Sequence, residues 1–336
     1  MSYRIYVYSP SGAVRDKAAF ARGVRRLRAM GYDVEVDPDA LRSHQRFAGD
    51  DATRIAAVHR AADSGADVAL ISRGGYGLTR ILPELDYDRI ARAIDGGTRF
   101  VGISDFTAFQ CAVLARTGAV TWAGPALCEG FGVPSDAAPD EIMQACFDDL
   151  LRGQGEGTGW RLKRQRRRPQ KSLIASQNAI ETIATYADVT SHESDFSIEN
   201  VQLWGGNLTV LCALMGTPFF PSVDGGVLFL EDVGEHPYRI ERMLTQLLHS
   251  GVLARQRALL LGHFTEYRLS PHDKGFNLRA VVDGLRRQLR IPVLTDLPYG
   301  HVPTKVMLPV GASVDLALQS GQVWLLWGNA SAHTLN

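Results

Sequence analysis

RFVGISDFTAFQCAVLARTG, residues 99–118, reads in three parts. RFVGI has the apolar, β-branched character of a strand, Gly102 to Asp105 form a bend, and a helical segment follows. The same grammar recurs on both sides. RIYVYS is a strand closed by the turn SPSG (9–12). RDKAAFARGVRRLRAMG then sets Phe20, Val24, Leu27 and Met30 at helical spacing and stops at Gly31, a suitable residue just past a helix end. YDVEVD is a strand, DATRIAAVHRAADSG a helix with Asp51 as its predicted N-cap, and ADVALISRGGYG (66–77) a strand that breaks into glycines. AVTWAGP supplies another strand. Strands alternating with helices of ten or more residues predict an α/β fold with a doubly wound, mostly parallel sheet.

Between residues 130 and 170 the character changes. GVPSDAAPDE and RGQGEGTGWRLKRQRRRPQK are rich in Pro, Gly and charge. The chain therefore divides into a doubly wound N-terminal domain (1–150), a linker (151–170) and a second, smaller α/β domain (171–336). In the second part NVQLW, GVLFLED and ALLLGHF read as strands, and NLTVLCALMG, PYRIERMLTQLLHSGVL and AVVDGLRRQLR as helices. PVLTDLPYGH reads as a strand running into a turn.

Composition narrows the function. The 336 residues carry 36 Lys plus Arg and 36 Asp plus Glu, so no global field favours nucleic acid or an anionic membrane. RLKRQRRRPQK (161–171) is basic but short, with little aromatic interleaving, and reads as a solvated edge. Cys111, Cys128, Cys146 and Cys212 are scattered without metal-ligand spacing and read as reduced thiols. MSYRIYVYSPSG has no leader-peptide pattern, and no run is long and apolar enough to span a membrane. A soluble cytoplasmic protein is expected. With no HExxH or Cys/His cluster, neither a metal nor a cofactor is expected.

Four features carry chemistry. Ser104, on its strand-to-helix bend, either caps the helix or stands exposed as a nucleophile in an elbow lacking the usual trailing glycine. SRGGYG (72–77) is a tight turn or a cradle of backbone N–H groups, without the pattern of a nucleotide loop. Glu231 and Asp232 end an apolar strand, where acids serve as helix caps or site residues. His301 sits on a Gly-preceded turn, with His263 and His236 as competing bases. Together these are the parts for acyl transfer, in the order Ser, Glu, His.

On these stretches the chain resembles the LD-carboxypeptidases, the muramoyltetrapeptide carboxypeptidase family, which also contains the microcin-C self-immunity peptidase. The resemblance runs in order through SPSG, RFAGDDATR (46–54), RGGYGLTRILPELD (73–86), GISDFTAFQC (102–111) and TWAGPAL (121–127). It continues through LWGGNLTVLCALMGTPF (203–219), LFLEDVGEHPYRIERMLTQLLHSGVL (228–253) and GHVPTKVMLPVGA (300–312). It implies a serine peptidase with a triad of Ser104, His301 and Glu231, and an oxyanion site from the N–H groups of Asp105 and Gly75. It implies a homodimer with the active site between the two domains, and a small peptide substrate, the murein tetrapeptide, which loses its terminal D-alanine. Arg73 is a candidate for the substrate carboxylate, and Tyr76, Trp204 and Asn207 for the cleft wall, although Asn207 could equally cap its helix. Residues 165–195 have no counterpart and read as an insertion. Its Tyr186 suits the alternative substrate, a microcin-C-type acylated aminonucleotide.

Overall fold

The computed structural model describes residues 2–163 and 194–328. The insertion at 165–195, with Tyr186, lies outside the described residues save for its last two positions. The first half runs β1 (Arg4–Tyr8), α1 (Lys17–Ala29), β2 (Asp33–Val36), α2 (Asp51–Asp63), β3 (Val68–Ile71), α3 (Leu78–Ile81) and α4 (Tyr87–Asp95). It continues with β4 (Arg99–Gly102), α5 (Phe106–Thr117), β5 (Thr121–Ala123), α6 (Glu141–Arg152) and β6 (Gly157–Arg161). The second half comprises β7 (Phe196–Asn207), α7 (Leu208–Leu214), β8 (Val227–Val233), α8 (Pro237–His249), β9 (Ala258–Thr265), α9 (Leu278–Gln288) and β10 (Val293–Leu294). Three strands close it: β11 (Leu308–Val310), β12 (Ser313–Gln319) and β13 (Gln322–Leu326).

Two sheets result. The first has the order β11-β5-β4-β3-β1-β2, parallel throughout except for β11. The order 2-1-3-4-5 reverses between β1 and β3, and ligands in such sheets bind beyond the carboxyl ends of the strands at that point. SPSG and SRGGYG leave β1 and β3 there. The second sheet has the order β10-β9-β8-β7-β12-β13-β6. Its first four strands are parallel, and β12, β13 and β6 add antiparallel. Two strands lie apart from their sequence neighbours: β6 comes from residues read as linker and edges the second sheet, whereas β11 returns to edge the first.

Packing follows from residue type. All four residues of β3 (VALI) are buried, as a strand covered on both faces requires. Every residue of α5 from Phe106 to Leu114 is buried too. A helix apolar all round has no solvent face, and α5 touches α4, β5, α7 and β7, wedged between the two halves. Ser104, two residues before α5, is thereby held at the boundary. At α2 the N-cap is Asp50, whose carboxylate accepts from Thr53 N, one residue earlier than the sequence suggests. Among the described residues no helix is long and apolar enough to cross a membrane.

Candidate active site

Ser104 does not cap α5. The position before the helix is Asp105, and it makes no side-chain cap bond; Ser104 contributes only its carbonyl, which accepts from Thr107 N at 2.9 Å. Its φ of +69° lies in the left-handed region, rare for a serine, and such strain persists where surrounding contacts impose it. The contacts come from Asp105, buried beside it. One carboxylate oxygen of Asp105 accepts from Ser11 Oγ at 2.5 Å and from Leu78 N at 2.9 Å, which ties the ends of β1, β3 and β4 together. Burial raises the pKa of Asp105 above the ordinary carboxylate value, against these donors and the nearby Arg54. Arg54, fully buried, donates to the carbonyls of Pro10 and Gly77 and clamps the same loops from behind.

The glycine turn packs onto the serine. A Cβ on Gly74 would stand 2.6 Å from Ser104 Cβ and 2.8 Å from its Oγ, so only glycine allows this approach. Gly75, at φ +118°, lines the cleft beside Ser104. Among the described residues neither the Gly75 N–H nor the Asp105 N–H has a protein acceptor.

Glu231 and His301 come from the second sheet. Glu231 ends the apolar run of β8, is fully buried, and its Oε2 lies 2.7 Å from His301 Nδ1. Asn207 at the end of β7 pairs with it in register and donates from Nδ2 to Glu231 Oε1 at 3.1 Å and Asp232 Oδ1 at 3.0 Å. The Asn207 side-chain oxygen caps α7 by accepting from Val210 N, and its own N–H donates to Thr107 Oγ1 at 2.9 Å. A continuous chain of hydrogen bonds thus runs from α5 through Asn207 and Glu231 to His301. Asp232 takes the structural share, accepting from Thr209 N and Oγ1 at the start of α7. Burial, chiefly, raises its pKa. For His301, burial acts to lower the pKa, but the hydrogen bond and charge of Glu231, with Glu129 adding to them, outweigh it and leave a net rise.

Ser104, His301 and Gly75 line one open cleft of about 620 Å³. Five charged side chains share it: Arg15, Arg73, Glu129, Glu266 and Lys305. Of these only Arg73 was singled out in the sequence. The others carry no local motif, and Lys305, only 4% exposed, is distinguished by burial, which no spacing reveals. The competing bases lie elsewhere: His236 sits 3.3 Å from Asp273, and half-buried His263 has its pKa lowered by burial. Trp204 corrects an expectation. It is 1% exposed, donates from Nε1 to Gln256 Oε1 at 2.9 Å and meets Phe220 edge-on, so it is a core residue and not part of the cleft wall. Tyr76 is 45% exposed and packs on Phe47, near the guanidinium of Arg46, outside the cleft lining.

Comparison with known proteins agrees with this architecture along nearly the whole chain. Residues 5–124 match the LD-carboxypeptidase N-terminal domain, and residues 200–316 the LD-carboxypeptidase C-terminal domain. A carboxypeptidase-family protein of Streptomyces coelicolor is 33% identical, over 96% of this chain and 93% of its own. The murein tetrapeptide carboxypeptidase of Pseudomonas aeruginosa is 27% identical, over 93% and 92%. The crystal structure of muramoyltetrapeptide carboxypeptidase from Oxalobacter formigenes superposes with a TM-score of 0.79 at 35% identity, covering 96% of this chain and 97% of that one.

Proposed function

Because the chain belongs to the LD-carboxypeptidase family, a family of peptidases, we propose that it is a serine carboxypeptidase that removes the C-terminal D-alanine from murein tetrapeptides. One observation carries the reading: Ser104, on a strained bend, shares a cleft with a histidine bonded to a fully buried glutamate.

In this reading His301 Nε2 takes the Ser104 proton as Oγ attacks the carbonyl before D-alanine. Glu231 accepts the hydrogen bond from Nδ1, which fixes the tautomer and stabilises the imidazolium as it forms. The N–H groups of Asp105 and Gly75 receive the oxyanion, and such a donor is worth about 2.7–4 kcal/mol in the transition state. His301 then returns the proton to the D-alanine nitrogen. Water repeats the sequence on the acyl-enzyme. Arg73 lines the cleft on the glycine-turn side, within reach of a charged substrate. Asn207 acts through Glu231, which it holds in place. Tyr76 would meet a longer substrate only at the rim. The reading includes a homodimer acting in the cytoplasm, where free thiols at Cys111, Cys128, Cys146 and Cys212 are at home.

The test sets a murein tetrapeptide beside an acylated aminonucleotide, with a serine-directed reagent mapped by peptide mass. Labelling at Ser104 and turnover of the tetrapeptide are expected. Turnover of the aminonucleotide alone would move the substrate to the other amide.

A further inference from the structure

A carboxypeptidase must hold the free carboxylate of its substrate, and the serine, histidine and glutamate do not do so. We infer that Lys305 is that anchor, the residue that restricts cleavage to the last peptide bond. The inference rests on the carboxypeptidase reading above and adds to it the group that recognises the chain end.

Lys305 lies four residues beyond His301 in the same loop, lines the cleft and is 4% exposed. Its ammonium has three N–H donors. Among the described residues its one acceptor is the Val302 carbonyl, 2.5 Å from Nζ, and no carboxylate stands within ion-pair distance. A buried ammonium is costly unless paired and fully hydrogen-bonded. Among the described residues no direct counter-ion meets it, and it lines the same cleft as Ser104 and His301. Glu129, Glu231 and Asp140 are near enough to act on its charge without contacting it. Burial lowers its pKa more than those acids raise it, in keeping with an ammonium awaiting an anion.

The chemistry also fixes the side of the cleft. His301 must deliver a proton to the leaving nitrogen, so the leaving residue lies against His301. In an amino acid one carbon separates that nitrogen from the carboxylate, which places the carboxylate near the His301 loop. Lys305 is the cation of that loop. Arg73 belongs to the glycine turn after β3: its Nη1 donates to Ala13 O at 3.3 Å and fills the space where Gly12 and Gly75 have no side chain. It braces the glycine turn. Arg15, in the segment between β1 and α1, is exposed.

The test is binding to the full-length Ser104→Ala protein, measured by calorimetry. The probes are the murein tetrapeptide as its free acid and the same peptide ending in D-alaninamide. Ser104→Ala should prefer the acid by at least about 30-fold, the scale set by losing one partner of a buried charge pair. Adding Lys305→Met, which keeps the length and apolar stem, should abolish that preference, and Lys305→Arg should retain part of it. Thermal melts of each variant report folding. If Lys305→Met fails to fold, Arg73→Met decides: a protein that keeps the preference for the acid supports Lys305, and one that loses it overturns the anchor. Equal affinity for acid and amide in Ser104→Ala, or a preference that survives Lys305→Met, also overturns it. Should Lys305-dependent acid binding be found in a protein that leaves the tetrapeptide intact, the proposed reaction fails while the anchor stands.

Discussion

At the scale of the residue, the cleft depends on charges that act on His301. Its imidazole must be neutral to accept the Ser104 proton, and Glu231 and Glu129 hold its pKa above the ordinary histidine value against the pull of burial. The acid limb of kcat/KM should therefore lie above the pH at which a free imidazole titrates, about 6.5. Glu129→Gln removes one stabiliser of the imidazolium without touching the triad. It should move that limb to lower pH with the plateau rate largely kept; a pH profile with an unmoved limb would remove Glu129 from this role. Glu231 and Asp232 show what a sequence can carry at this scale. Two acids after an apolar strand read as helix caps or site residues, and the strand alone could not say which one pairs with histidine. The tertiary partners decide: both carboxylates accept from Asn207 Nδ2, at a register irregularity of β8 between Leu230 and Asp232, and their other oxygens diverge. Glu231 receives His301, and Asp232 receives the first turn of α7. Trp204 was expected on the cleft wall from the resemblance alone, whereas it is buried in the core.

The elements that present these residues are bends whose shape follows from close packing. The glycine turn after β3 approaches the bend after β4 so tightly that Gly74→Ala would drive a methyl group into Ser104. That substitution should reduce kcat by about 100-fold or more, since a displacement on the order of 1 Å suffices for such a loss. Circular dichroism should be nearly unchanged, because the turn is outside the helices and strands. Wild-type kcat in Gly74→Ala would show that the turn does not set the serine. These bends were legible because their residues are unusual where they stand: paired glycines, a serine on a strand end, a glycine before a histidine. The helices were legible from their apolar spacing. By contrast, β12 and β13 went unread, although SVDLALQ alternates apolar and polar positions cleanly enough to mark a half-buried strand.

For the whole molecule, the site exists only where two sheets meet. α5 is buried between them, Asn207 N reaches Thr107 Oγ1 across the boundary, and β11 carries the chain back to the first sheet soon after His301. Thr304 donates to Asp140 Oδ2 at 2.6 Å and ties the His301 loop to the start of α6. Thr304→Val keeps the shape and loses that bond. It should lower kcat/KM several-fold while costing stability only about 1 kcal/mol, the net worth of a typical hydrogen bond. A melting temperature that falls with no change in kcat/KM would make the bond purely structural. This level was the least legible in sequence. The return of β11 and the placement of β6 join residues far apart in the chain, and no local periodicity records such pairing. The same holds for Lys305, whose burial at 4% exposure no local spacing records.

The most direct measurement is release of D-alanine from purified L-Ala-D-Glu-meso-diaminopimelate-D-Ala by the wild-type protein and by Ser104→Ala, with folding of both verified. The account predicts steady release by the wild type and none above background by the variant. Equal release by the two proteins would contradict Ser104 as the nucleophile, and no release by the folded wild type would contradict the proposed substrate.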